Sequence, residues 1–119
     1  MLGRRFHVLL LRRSIMGGQV CIIQTTLPNT WIEAEVGAFS QQLVEAGAAC
    51  VQHSSIRSVY RWEGEIESSP EWHLQLKVSI SNREQVLMVL KQQHPYDVPQ
   101  IVWFTTESTD SYSAWVESQ

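Results

Sequence analysis

The sequence predicts an α+β domain in which two helices cover one face of a four-stranded antiparallel sheet. Strand and helix patterns follow one another as strand, helix, strand, strand, helix, strand. The third strand pattern alternates strictly over residues 72–80, which is typical of a half-buried strand. The chain has 119 residues, enough for one hydrophobic core. A βαββαβ order at this length favours a ferredoxin-like sandwich, followed here by a short C-terminal helix.

The first strand and the first helix are predicted from residues 20–47. The run 20–26 is short, apolar and β-branched, as in a strand buried on both faces. A helix over 31–46 follows, because Thr30 and Glu33 have the spacing of a capping box. Gly47 stands where a helix commonly ends. The apolar stripe of this helix consists of Ile32, Val36, Phe39 and Leu43.

A long hairpin is predicted next. The second strand begins at Ala48 and continues beyond its apolar part to Trp62, where Glu63-Gly64 indicates a turn. Pro70 in the returning strand indicates a bulge or an edge position, because proline cannot donate a ladder hydrogen bond. The alternation that follows places one set of apolar side chains on a common face: Trp72, Leu74, Leu76, Val78 and Ile80.

The second helix, the last strand and the terminal helix complete the predicted order. Ser81 and Glu84 have capping-box spacing, and the helix extends to Pro95, which cannot continue it. Residues 100–106 predict the last strand. A short C-terminal helix is predicted from the spacing of Tyr112, Trp115 and Val116.

Charge divides the chain into a basic N-terminal arm over residues 1–18 and a domain over 19–119. Residues 1–15 carry four arginines and no acid, whereas 16–119 carry five basic and twelve acidic side chains. We interpret the arm as loosely attached, or as preceding a natural start at Met16, with organelle or export targeting as the alternative. The acidic domain argues against nucleic acid as a partner, and no stretch approaches the ~20 apolar residues that span a membrane.

Aromatic side chains on the far part of the hairpin predict self-association. The two long strands extend beyond the reach of the helices and carry Tyr60, Trp62 and Ile66. Left in water, these groups would form an apolar patch beside unpaired strand edges. We therefore predict a homo-oligomer with closed symmetry. The alternative is a hairpin tip that folds back on its own sheet.

Several motifs resemble those of the CutA family of divalent-cation tolerance proteins. Residues 58–67 resemble the SxYxWxGxIE hairpin of the family, and residues 48–51 resemble its AACV segment. Residues 94–99 resemble its HPYExP segment, and Tyr112 with Trp115 resembles its closing YxxW. Lys77 stands where the family has a lysine in its third strand. The resemblance covers about residues 19–116. It implies a ferredoxin-like subunit in a tight homotrimer, and such extensive pairing between subunits predicts a thermostable protein.

The resemblance also implies a role in tolerance of copper and other divalent ions. The trimer is similar in architecture to PII-type signalling proteins, which favours a sensor or adaptor over an enzyme, and the sequence shows no recognisable catalytic set. The expected partners are other copies of the chain and a small ion or metabolite in an inter-subunit cleft. Candidate residues of the cleft or interface are Tyr60, Trp62, Lys77, Tyr96 and Trp115. For Lys77, the residues themselves favour an ion pair with an acid over a place in the cleft.

His94 is the candidate metal ligand, and two substitutions weaken that interpretation. Family members credited with copper binding have a cysteine where Gln24 stands and a second histidine where Gln93 stands. Amides bind copper and zinc poorly, so we expect no required cofactor and at most weak binding of Cu²⁺. A structural role for His94 at the end of a helix is favoured over metal ligation. Cys21 and Cys50 lack CxxC spacing, which favours reduced thiols and a cytoplasmic protein.

Overall fold

The computed structural model describes residues 18–119, in which four strands form one antiparallel sheet. The strands are β1 (Gly18–Pro28), β2 (Cys50–Trp62), β3 (Glu65–Val78) and β4 (Ile101–Ser108), and their order across the sheet is β2-β3-β1-β4. With helices in the two crossover connections, this is the predicted ferredoxin-like fold, and the fold class is confirmed. The predicted N-terminal arm lies outside the described residues except for Gly18, which begins β1.

Two of the three α-helices cover one face of the sheet and build the main core. They are α1 (Glu33–Glu45) and α2 (Arg83–Gln93), and a 3₁₀ turn, Ile80–Asn82, precedes α2. The helices contribute Val36, Phe39 and Leu43 from α1 and Val86 and Leu90 from α2. The sheet contributes alternate residues from its two central strands, chiefly Cys21, Ile23, Leu74, Leu76 and Val78. The predicted period-two face of β3 is thus the face that the helices bury.

The terminal helix α3 (Asp110–Glu117) packs on the opposite face of the sheet. Its Val116 is buried against Val20 and Ile22, which alternate with the core residues of β1. The other two residues of the predicted stripe do not enter this small cluster, because Tyr112 and Trp115 remain exposed and stack on each other with ring centroids 5.8 Å apart. The second face is therefore covered only in part.

Both predicted capping boxes are wrong in position. Helix α1 begins at Glu33, and the backbone N–H of Ile32 donates to the carboxylate of Glu35 at 2.9 Å. Before α2, the hydroxyl of Ser79 accepts from the backbone N–H of Asn82 at 3.2 Å and caps the 3₁₀ turn. The capping residue of α1 is therefore Ile32, two residues after the predicted Thr30, and that of α2 is Asn82, one residue after the predicted Ser81.

Gly47 ends α1 as predicted, and the reason is its backbone conformation. Its φ is +126°, a region that side chains with a Cβ rarely adopt. The N–H of Gly47 donates to the carbonyl of Val44, and the N–H of Ala48 donates to the carbonyl of Leu43, both at 3.0 Å. This pair of bonds is a Schellman motif, which satisfies the last carbonyls of the helix.

The hairpin of β2 and β3 extends well beyond β1. Strand β1 pairs with β3 only as far as Pro28, which lies opposite Glu71. Beyond that point residues 57–70, which we call the hairpin arm, form a ribbon of two strands. Its tip, Glu63-Gly64, has positive φ at both residues, as in the type I′ turn that matches strand twist. The described residues extend over 60 Å in the longest direction, mainly because of this arm.

Pro70 lies at an edge, which confirms one of the two predicted alternatives. The register between β2 and β3 runs without interruption from Cys50–Lys77 to Trp62–Glu65, so there is no bulge at Pro70. On its other side, β3 has no neighbouring strand at this position within the described residues. The missing N–H of proline therefore leaves no gap in the sheet.

Replacing Gly47 should destabilise the chain, whereas replacing Gly37 should not. A Cβ at Gly47 would add backbone strain of about 1–3 kcal/mol and would approach the side chain of Gln85 to 2.6 Å. Gly37 lies within α1, and a Cβ added there would have nothing within 4 Å, so Gly37→Ala should stabilise by about 0.5–1 kcal/mol. Urea unfolding at one fixed protein concentration measures both. Equal changes in the free energy of unfolding of the two variants would contradict the assignment of strain to Gly47.

Candidate functional site

A cleft of about 760 Å³ lies where β1 ends and the hairpin arm begins. One wall is the arm, which presents Tyr60, Trp62 and, at its root, Glu71. The other wall is the segment 94–99, which we call the HPYDVP loop; it connects α2 to β4 and contributes Tyr96 and Asp97. The early end of β1 creates this cleft, because no strand other than β2 lies beside β3 at the root of the arm within the described residues. The loop passes there instead, and the cleft is the space left between the loop and the arm.

One hydrogen bond ties the two walls together. The hydroxyl of Tyr96 donates to Oε2 of Glu71 at 2.7 Å. Burial, together with this bond to a carboxylate, raises the pKa of Tyr96, so the phenol remains protonated and keeps donating. Hydrogen bonds to charged partners are stronger than neutral ones, and this bond fixes the loop against the root of the arm.

His94 is held by hydrogen bonds at both ring nitrogens. The hydroxyl of Thr25 donates to the carbonyl of Gln100 at 2.7 Å, so at the 2.9 Å contact between Thr25 Oγ1 and His94 Nε2 the ring must donate. Nδ1 then accepts from the backbone N–H of Tyr96 at 3.1 Å. Both bonds fit the neutral ring protonated at Nε2. Burial also lowers the pKa of His94, and a backbone hydrogen bond with Thr26 and the nearby charge of Glu71 offset this only in part.

The HPYDVP loop therefore forms one wall of the cleft and also connects the end of α2 to β1 and β3 through hydrogen bonds. His94 connects the end of α2 to the buried Thr25 of β1, and its ring lies 5.2 Å from that of Tyr96 and 6.5 Å from that of Phe39. A metal ion at His94 would have to displace one of the two hydrogen bonds. Within residues 18–119, no group of three or more histidines, cysteines, aspartates or glutamates could hold a metal ion.

The predicted site residues lie in three different places. Tyr60, Trp62 and Tyr96 line the cleft together. Lys77 lies on the sheet face opposite α1 and α2, where its Nζ contacts Oε1 of Gln52 in place of the predicted acid. Trp115 lies on α3. The structure thus brings together three of the five predicted cleft or interface residues.

Two acids of the cleft, Glu71 and Asp97, are missed by the sequence analysis. In the sequence, Glu71 is one of several glutamates along a hairpin, and Asp97 is one letter of a longer motif. The one signal in the sequence that could have identified Glu71 is its place directly after Pro70, the edge residue at which β3 is no longer paired with β1. The partner of Glu71, however, is Tyr96, which lies 25 residues further along the chain.

The fold and this cleft define a class: a small ferredoxin-like α+β domain with a projecting two-stranded arm and a cleft at its root. The sequence profile of the family described as CutA1 divalent ion tolerance protein matches residues 21–119. The chain belongs to this family. No helix among residues 18–119 has the length and apolar character needed to cross a membrane.

Individual relatives agree with the family match. The divalent-cation tolerance protein CutA of Pectobacterium atrosepticum is 38% identical over 73 residues, which cover 60% of this chain and 66% of that protein. The chloroplastic protein CutA of Arabidopsis thaliana is 32% identical over 99 residues, covering 82% of this chain and about half, 53%, of that protein. The structure of CutA from Synechococcus elongatus matches with a TM-score of 0.78 at 32% identity, covering 87% of this chain and 92% of that one.

The stability of the chain should fall below pH 6.5 in a way that depends on His94. The pKa of His94 is lowered in the folded state, so the unfolded chain binds more protons in this window. The stabilisation is complete above the unfolded-state pKa of about 6.5 and is lost as the pH falls toward the folded-state value. Urea unfolding of His94→Gln should therefore depend less steeply on pH than that of the wild type. If the free energy of unfolding depended on pH equally in the wild type and in His94→Gln, the pKa shift assigned to His94 would be wrong.

Proposed function

We propose that this chain forms a homotrimer that serves in the response to divalent cations, copper among them, as a non-enzymatic sensor or adaptor. In this proposal the cleft at the root of the hairpin arm lies beside the next subunit and accepts a small ion or metabolite. The observation that carries the proposal is the arm itself, a two-stranded ribbon whose large apolar side chains are not covered by any other part of residues 18–119.

The exposure of the arm is the first line of support. Trp62 is 54% exposed, Ile66 73% and Tyr60 41%. Isolated two-stranded ribbons are marginally stable in water, and each buried tryptophan or tyrosine removes about 150–250 Å² from solvent. A second copy that packs on the arm and removes part of this apolar area from water would stabilise both the arm and the assembly. The alternative of a tip folded back on its own sheet does not fit an arm that extends straight from β2 and β3.

Free strand edges are the second line of support. Within the described residues, β4 pairs only with β1 and β2 pairs only with β3, so each has one unpaired edge. Strand β4 exposes three successive apolar residues, Val102, Trp103 and Phe104, at 44–50%. Long exposed edges of this kind are templates for pairing with another chain. Trp115 on α3 and Lys77 on β3 lie on the face that α1 and α2 leave open, which supports a contact with another copy on that face.

A signalling role fits the cleft better than catalysis does. The cleft combines two carboxylates with three phenol or indole rings, and none of its lining residues supplies a thiol or an imidazole. The family is described by tolerance of divalent ions rather than by a reaction. We place the chain in the cytoplasm because its cysteines are free, although one relative is named as chloroplastic.

The molar mass in solution should equal three times the 13.7 kDa of one chain, even at nanomolar concentration. The double variant Tyr60→Ser/Trp62→Ser removes the exposed rings of the arm and should shift the mass toward that of a single chain. Light scattering after size-exclusion chromatography measures both. Met88→Ser is the matched control, because Met88 is 59% exposed but lies on α2, away from the arm. A folded wild type with the mass of one chain would refute the trimer.

The same variants connect assembly to cation tolerance. Cells that lack this chain should grow more slowly at raised Cu²⁺, and the wild type or Met88→Ser should restore growth. The double variant of the arm should not. Restoration by the double variant would separate the tolerance function from the assembly.

Direct ligation of copper by His94 should not occur at neutral pH, because both of its ring nitrogens are engaged. Calorimetric titration with Cu²⁺ should give no stoichiometric heat that disappears in His94→Ala. Such a heat, lost only in that variant, would instead favour a metal-binding protein that uses His94 at a subunit interface. The variant must be shown to keep the trimer mass before the two titrations are compared.

A further inference from the structure

We propose that the cleft binds an organic cation, a guanidinium or alkylammonium group, between the hairpin arm and the HPYDVP loop. This inference rests on the proposed function only in taking the cleft as a ligand site, and it specifies the class of ligand. It follows from the charges and the rings that line the cleft, which face each other across a space large enough for a small metabolite.

The charge of the cleft is negative on both walls. Glu71 lies at the root of the arm and Asp97 on the loop, and none of the lining residues is a lysine, an arginine or a histidine. Oε2 of Glu71 accepts from Tyr96, while Oε1 has no hydrogen-bond donor within residues 18–119. Asp97 is exposed and likewise accepts no hydrogen bond from a side chain there. These carboxylate oxygens are free to accept from the N–H groups of a ligand.

The aromatic rings supply the second half of the site. Tyr60 and Trp62 stand on one face of the arm, because alternate residues of a strand point to the same side. Tyr96 lies across the cleft from them on the loop. Indole and phenol faces attract cations, and the attraction is strongest for weakly hydrated organic ones such as guanidinium and quaternary ammonium groups. An organic cation can therefore contact rings and carboxylates at the same time.

Other ligand classes fit the lining less well. An anion would meet two carboxylates and no cationic side chain. A transition metal would find neither imidazole nor thiol among the lining residues. Calcium and magnesium need six or more oxygen ligands and gain nothing from aromatic faces. Only an organic cation uses both features of the cleft.

Two sources supply this chemistry. One is a free small molecule. The other is an arginine of a second copy, since Arg57 and Arg61 stand exposed on the opposite face of the arm and neither forms an ion pair within the described residues. In the second case the cleft would recognise the neighbouring subunit through the same groups.

Choline and agmatine are suitable probes, with 3,3-dimethylbutan-1-ol as an uncharged molecule of nearly the same shape as choline. The readout is the indole N–H signal of Trp62 in the ¹⁵N-labelled full chain, at constant ionic strength. We expect saturable shifts with the cations and about five- to tenfold weaker binding of the alcohol. Asp97→Asn and Glu71→Gln should each weaken binding of the cations several-fold, whereas Glu107→Gln, an exposed acid on β4, should not.

The variant Arg57→Ala/Arg61→Ala identifies the source. Saturable binding to the wild type shows a site for a free organic cation. Binding that occurs only in the double arginine variant shows that a guanidinium of a second copy fills the cleft in the wild type. The proposal is overturned if neither protein binds the cations more tightly than the alcohol, or if Asp97→Asn and Glu71→Gln both bind like the wild type. Molar masses measured on the same samples tell this failure apart from a failure of the trimer.

Discussion

The early end of β1 is the constraint on which the rest of the structure depends. The last pair of β1 with β3 joins Pro28 to Glu71, whereas β2 and β3 stay paired as far as their turn. Everything beyond that pair is a ribbon without a core. The early end of β1 also leaves a space beside β3, and the HPYDVP loop passes through that space before β4 begins. The arm and the cleft therefore share one cause, and the self-association that we propose would follow from it as well.

The loop in turn is fixed by a chain of hydrogen bonds rather than by apolar packing. It runs from the carbonyl of Gln100 through the hydroxyl of Thr25 to the ring of His94, and from there to the backbone of Tyr96. The phenol of Tyr96 then reaches Glu71. Buried polar groups are costly unless they are paired, and in this chain of bonds each donor meets an acceptor. The wall of the cleft is consequently well defined although much of it is open to water.

The amino-acid sequence predicts the elements and their order because periodicity reports directly on burial. The alternation of β3 and the stripe of α1 each reflect one face packed on one core. Helix starts were predicted less well, since Thr30 and Ser81 lie in turns where capping residues are also common. The partners of His94 could not be predicted at all, because Thr25 lies 69 residues away in sequence and no local pattern encodes that contact. The pairing of Tyr96 with Glu71 was missed for the same reason.

The type I′ turn at Glu63-Gly64 has a consequence for the order in which the chain folds. It joins two strands through two residues, so their pairing can propagate from the tip with little loss of chain entropy at each step. Strand β1 must instead find β3 across about fifty residues and β4 across about eighty, which is slow because long loops have to close first. The ribbon should thus form early during folding, when its aromatic rings are already available to sister chains emerging nearby. In the trimer that we propose, recognition between chains would then begin before the sheet of any one chain is complete.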